Sequence, residues 1–172
     1  MTGPDPIRVN RAPVLTLWAA VVAERLGHPE PTALSLASAV AGTAAQAKAR
    51  RLGLAEATEG PRHGPARRAL PLLGREVPVA EAPDGTLRAA GPDGTPEDDT
   101  PVRRYLARAF GPRLEEARAA MRALAATLPP EELNRVGFRL YEAFRPEVPE
   151  GVGGWGAKGL LHLDRIRDAA FP

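Results

Sequence analysis

Apolar positions recur at helical spacing over most of this chain and at strand spacing in one short stretch near its middle. Val14, Trp18, Val21, Val22 and Leu26 share a face at the 3.6-residue period. They predict a helix from Arg11 to Leu26, with Asn10 as N-cap, Pro13 in the first turn and Gly27 ending it. After the break His28-Pro29-Glu30-Pro31, a second helix is predicted to run to Leu52 and stop at Gly53. Its inward face, Leu34, Ala37, Val40, Ala41, Ala44 and Ala45, is small, and small side chains let helices approach closely. That face reads as the mark of a central packing helix.

From Ala55 to Ala66 periodicity disappears and Gly, Pro and charge take over, the pattern of a loop. Glu76 to Ala80 and Thr86 to Ala89 then alternate around Ala82-Pro83-Asp84-Gly85, predicting a two-stranded hairpin. Pro78 lacks a ladder donor and places the first strand at an edge. Beyond the acidic run Glu97-Asp98-Asp99, Thr100 and Pro101 read as N-cap and first helical residue.

Three more helices follow: Pro101 to Phe110, Arg113 to Leu128, and a third from Pro129-Pro130 to Phe144. In the second, Leu114, Ala117, Met121, Leu124 and Leu128 keep a seven-residue repeat, too short for a free coiled coil and therefore a bundle seam. In the third, Leu133, Val136, Leu140, Tyr141 and Phe144 are apolar, and Glu131 is placed to pair with Arg135. Leu160, Leu161, Leu163 and Ile166 predict a short terminal helix or a strand followed by a helix.

The pattern as a whole predicts a mainly α protein: one helical-bundle-like domain, 1–172, of five to six helices with a small β-hairpin insert. Within it, 1–53 is an N-terminal helix pair, 54–99 a loop and acidic hairpin insert, and 100–172 the C-terminal helices with a Gly-rich loop. A length of 172 residues fits one domain with a sizeable core. No apolar run reaches the roughly 20 residues of a membrane span, and the polar, proline-broken N-terminus does not resemble a signal peptide. A cytoplasmic protein without a membrane partner is expected.

The chain has no cysteine, which removes disulfides, thiolate catalysis and cysteine-ligated metals. Its basic residues are almost all arginine; only Lys48 and Lys158 are lysines, a skew that with abundant Ala, Pro and Gly reflects bacterial-type composition. Net charge is +2, but it is segregated: +5 over residues 1–75, −6 over 76–99 and +3 over 100–172.

Gly151-Val152-Gly153-Gly154-Trp155-Gly156-Ala157-Lys158-Gly159 concentrates five glycines, a tryptophan and a lysine. G-x-G-x-x-G occurs in it twice, without the buried strand before it or the acidic residue about 20 positions after it that a dinucleotide fingerprint needs. Ala157-Lys158-Gly159 also departs from the phosphate-loop Gly-Lys-Ser/Thr. Two readings remain: a loop that lies flat while Trp155 plugs the core, or backbone amides and Lys158 forming an anion nest.

Lys48, Arg50 and Arg51 close the second helix, where they complement the helix dipole or, with Arg8, Arg11, Arg67 and Arg68, form a phosphate-contacting patch. The linker Gly27 to Pro31 is long for a helix-turn-helix, and Ala and Leu near the second helix's start do not read bases. His28, His63 and His162 lack metal-ligand spacing. Ser35 and Ser38 lie within a helix rather than on a nucleophile elbow, and Glu115-Glu116 and Glu131-Glu132 diverge around their helices.

No catalytic residue, metal site or cofactor is therefore assigned, and a non-enzymatic role is favoured. The expected function is binding of nucleic acid, DNA in the first place, through Lys48, Arg50, Arg51, Trp155 and Lys158. The alternatives are a protein-interaction or self-assembly module, in which Arg-rich faces meet acidic partners, the 76–99 insert of a second copy among them, and a binder of a small anionic metabolite around Lys158.

Overall fold

The computed structural model describes residues 6–51, 69–90, 94–146 and 159–169, and of residues 42–51 the backbone alone. In chain order the elements are β1 (Ile7–Val9), α1 (Arg11–Arg25), α2 (Glu30–Arg51), β2 (Ala69–Leu72), β3 (Arg75–Glu81) and β4 (Leu87–Ala89). They continue with α3 (Thr100–Phe110), a 3-10 turn (Gly111–Arg113), α4 (Leu114–Ala125), α5 (Pro130–Phe144), β5 (Gly159–Leu161) and α6 (Leu163–Asp168). The protein is mainly α. Among the described residues no helix is long and apolar enough to cross a membrane.

α1 occupies the centre, and α2, whose small face predicts a central packing helix, packs extensively against it. Every residue from Pro13 to Ala23 is buried, so the helix has no solvent face over three turns. α2, α3, α4, α5 and β2 all pack against it. Thr16 is the polar residue within this run, and its hydroxyl donates to Ala12 O at 2.9 Å, so the burial leaves no hydroxyl unmet. α2 keeps an inward face of Ala33, Leu34, Leu36, Ala37 and Val40, with Ser38 exposed. The predicted loop 55–66 lies outside the described residues.

The hairpin predicted around Pro83-Asp84-Gly85 is present as β3 and β4, but β2 joins it, giving a three-stranded antiparallel sheet in the order β2-β3-β4. β3 is therefore the middle strand, and Pro78 lies in it rather than at an edge. Ala90 N donates to Pro78 O at 2.8 Å, one residue beyond the end of β4. The donor that proline lacks falls where that ladder has already ended, so the sheet tolerates it.

Leu72 pairs with Arg75 across the two-residue turn Leu73-Gly74, in which both residues have positive φ, 54° and 81°. This is the backbone of a type I′ turn, favourable for the twist of a hairpin but costly for leucine. Asn134 Oδ1 accepts from Leu73 N at 2.6 Å, and the Leu73 side chain is buried against α5. A third, distant pairing ties the chain ends together: β1 runs antiparallel to β5 with Ile7 opposite Leu161.

Two caps differ from expectation. Asn10 holds the N-cap backbone position of α1, but its side chain makes no capping bond. α3 begins at Thr100 with Asp99 as its N-cap residue, and Asp99 makes no side-chain capping bond because its carboxylate accepts from Arg88 and Arg103. On α5, Arg135 lies 3.9 Å from Glu132 rather than pairing with Glu131.

Candidate functional site

α3 carries its apolar residues Val102, Leu106 and Phe110 at four-residue spacing, all buried. Arg104 and Arg108 each follow the first two of these by two positions, about 200° around the helix, and so project away from the core. Both are exposed, as is Tyr105 between them, whose side chain leaves the residue 41% accessible. The helix contains three arginines and no acidic residue. Arg8 is exposed on β1, the strand that packs beside α3.

The three α3 arginines have different fates. Arg103 bonds the Asp99 carboxylate through Nε and reaches Glu30 at 3.2 Å, and the Asp99 hydrogen bond, working against burial, holds its pKa above the usual arginine range. Arg104 and Arg108 have no carboxylate within 4.0 Å among the described residues, and Tyr105 has no aromatic partner there. Partial burial lifts the Tyr105 phenol above its usual range, so the ring is neutral at physiological pH.

At the N-terminal end of α3 the electrostatics reverse. Arg88, in β4, is nine-tenths covered and its guanidinium is spent on Thr86 Oγ1 at 3.2 Å, Asp84 at 3.4 Å and Asp99 at 2.7 Å. Burial pushes the Asp99 carboxyl up, but the hydrogen bonds from Arg103 and Arg88 outweigh it and hold the group below the ordinary carboxylate range. Asp84 is held low chiefly by Thr86, whose hydroxyl and backbone amide both donate to it.

An open depression of about 300 Å³ adjoins this cluster, lined by Asp84, Arg88, Glu97 and Asp98. With Arg88 already saturated by carboxylates, it is no receptor for an anion. Among the described residues no three His, Cys, Asp or Glu side chains converge as a metal site.

Of the residues singled out in the sequence, Lys48, Arg50 and Arg51 fall in the last turns of α2, with side chains outside the described residues. Trp155 and Lys158 lie outside them entirely, as do His63, Arg67 and Arg68. Arg11 is engaged by the fold, its Nε donating to Pro146 O at 2.9 Å. Ser35 is structural in its contacts: its hydroxyl accepts from Ala89 N at 2.8 Å, joining α2 to β4.

The α3 face carries no block of like charges of the kind that singles out Lys48 to Arg51 in the sequence. The signal that finds it is the absence of any carboxylate on α3, combined with a narrow apolar stripe that leaves Arg104, Tyr105 and Arg108 outside it. Comparison with known protein families, with characterised proteins and with solved structures finds no match.

Proposed function

We propose that this chain is a small, non-enzymatic, cytoplasmic nucleic-acid-binding protein that holds phosphates through arginines without reading base sequence. The observation that supports this most directly is the outer face of α3: two exposed guanidiniums one helical turn apart, free of carboxylate partners among the described residues, on a helix with no acidic residue. Cations placed so contribute the phosphate contacts that dominate nucleic-acid affinity. Lys48, Arg50 and Arg51 contact further phosphates in this reading, with the Trp155 and Lys158 segment as an additional contact, as the sequence suggests.

Self-assembly through the 76–99 insert receives less support. Asp84, Asp98 and Asp99, three of the insert's seven carboxylates, already lie within 4.0 Å of its own Arg88.

The test is fluorescence anisotropy of labelled duplex and single-stranded DNA and RNA with the purified chain. Two to four phosphate contacts predict affinity falling roughly 7- to 150-fold between about 50 and 200 mM salt. Absence of salt-dependent binding to every oligonucleotide overturns the proposal.

A further inference from the structure

We infer that the strand held on α3 is unpaired, with the Tyr105 ring stacked on a base and Arg104 and Arg108 on the phosphates to either side. This rests on the nucleic-acid reading above and specifies the ligand of that same face.

The first argument is electrostatic. A helix that reads duplex DNA enters the major groove with its N-terminal residues against the base edges. On α3 that end is occupied by Glu97, Asp98 and Asp99, with Glu30 beside Arg103. Insertion would press these carboxylates between two phosphate walls. A single strand laid across the C-terminal half of the helix meets Arg104 and Arg108 and avoids the acidic end.

The second argument is geometric. Arg104 and Arg108 are four residues apart, about 6 Å along the axis, comparable with the separation of successive phosphates on an extended strand. Tyr105 lies between them in sequence, is an exposed residue, and has no aromatic neighbour among the described residues. Base faces in a duplex are covered by their neighbours, whereas those of a single strand are free to stack on an aromatic side chain. Tyr105 and Arg108, three residues apart, are neighbours on the helix surface, with Arg104 one turn from Arg108, so an aromatic ring lies beside a row of two guanidiniums, as an alternation of base and phosphate requires.

The experiment uses the full chain with a labelled 12-nucleotide oligo-dT and a mixed-sequence duplex of about the same length, at low salt. The wild type is expected to bind the single strand at least about 10-fold more tightly than the duplex. Tyr105→Leu should weaken single-strand binding by about 5- to 100-fold without changing the salt slope, and Tyr105→Phe should restore it. Arg104→Ala and Arg108→Ala should each reduce the slope by about 0.7. Thermal melts confirm that the variants fold.

Equal affinity for the duplex, or single-strand binding indifferent to Tyr105→Leu, overturns the inference and leaves nucleic-acid binding standing. Failure to bind either oligonucleotide removes both. Displacement of bound oligo-dT by a glutamate-rich peptide at equal charge concentration would show an acidic-protein surface instead, and would also overturn the inference.

Discussion

The indole of Trp18 donates to the carbonyl of Gly137 at 2.8 Å, a buried bond that brings the central helix α1 directly onto the backbone of α5. Trp18 is fully buried and meets Phe144 edge to face, with ring centroids 5.4 Å apart. The room at Gly137 is filled by Leu73: a Cβ there would lie 2.5 Å from Leu73 Cδ2, while the indole nitrogen at 3.8 Å would be an ordinary contact. A helix-interior glycine ordinarily costs about 1 kcal/mol relative to alanine, so its presence here marks a packing constraint.

Gly137→Ala should therefore destabilise the protein, by about 1 kcal/mol net, because overpacking outweighs the gain in helix propensity. In a Leu73→Ala background the obstructing atom is gone, and the same substitution should become neutral or stabilising. Urea denaturation of the four proteins gives the sign directly; a Gly137→Ala cost that is unaltered by Leu73→Ala contradicts the account.

Asp99→Asn should cost about 2–3 kcal/mol at neutral pH, since it leaves Arg88 buried with only its more exposed partners. The loss should depend on pH. The folded Asp99 pKa is below its unfolded value, so its contribution is full above the ordinary carboxylate range and fades as pH falls through that range toward the depressed value. Wild type and variant stabilities should converge in acid. A constant difference between pH 7 and pH 3 would refute this assignment.

Burial pushes the Tyr141 phenol up to about 12, while its hydroxyl donates to Arg11 O at 3.2 Å. The unfolded chain ionises this group near pH 10, so the folded state retains a proton that the unfolded state has lost. Stability should fall as pH rises from about 10 to 12, by up to about 2–3 kcal/mol from this residue alone. Chemical denaturation of Tyr141→Phe over that range should show a shallower decline; an identical slope would remove Tyr141 as the cause.

Ser35→Ala should destabilise by about 1–3 kcal/mol, because it leaves the buried Ala89 amide without its acceptor where α2 meets β4. Hydrogen exchange at Ala89 is the sharpest readout. Protection there should drop by a larger factor than in α4 or α5, whereas uniform loss would indicate a global effect only.

Much of the helical framework was legible in the sequence because its signals are local. Gly27 ends α1 with φ of 108°, and Pro130 opens α5 as its first residue, each doing what its own backbone chemistry dictates. The seam residues Ala117, Met121 and Leu124 are buried as their seven-residue spacing implies. The solvent-facing set Arg104, Tyr105 and Arg108 was also present in the helical period of α3. It was obscured because charge counted along the chain does not distinguish Arg103, which is held by Asp99 and Glu30, from its two neighbours.

By itself, then, the sequence determined where the helices lie to within a few residues, that the protein is mainly α, and which faces of α4 and α5 turn inward, since periodicity acts within a few residues. Tertiary structure decided what depends on distant partners: that α1 is buried without a break from Pro13 to Ala23, that β1 joins β5, and that Pro78 lies in a middle strand. It also decided that Asp99 serves Arg88 and Arg103 instead of its own helix. Burial and ion pairing are properties of what the fold brings alongside a residue, and no local pattern records that neighbour.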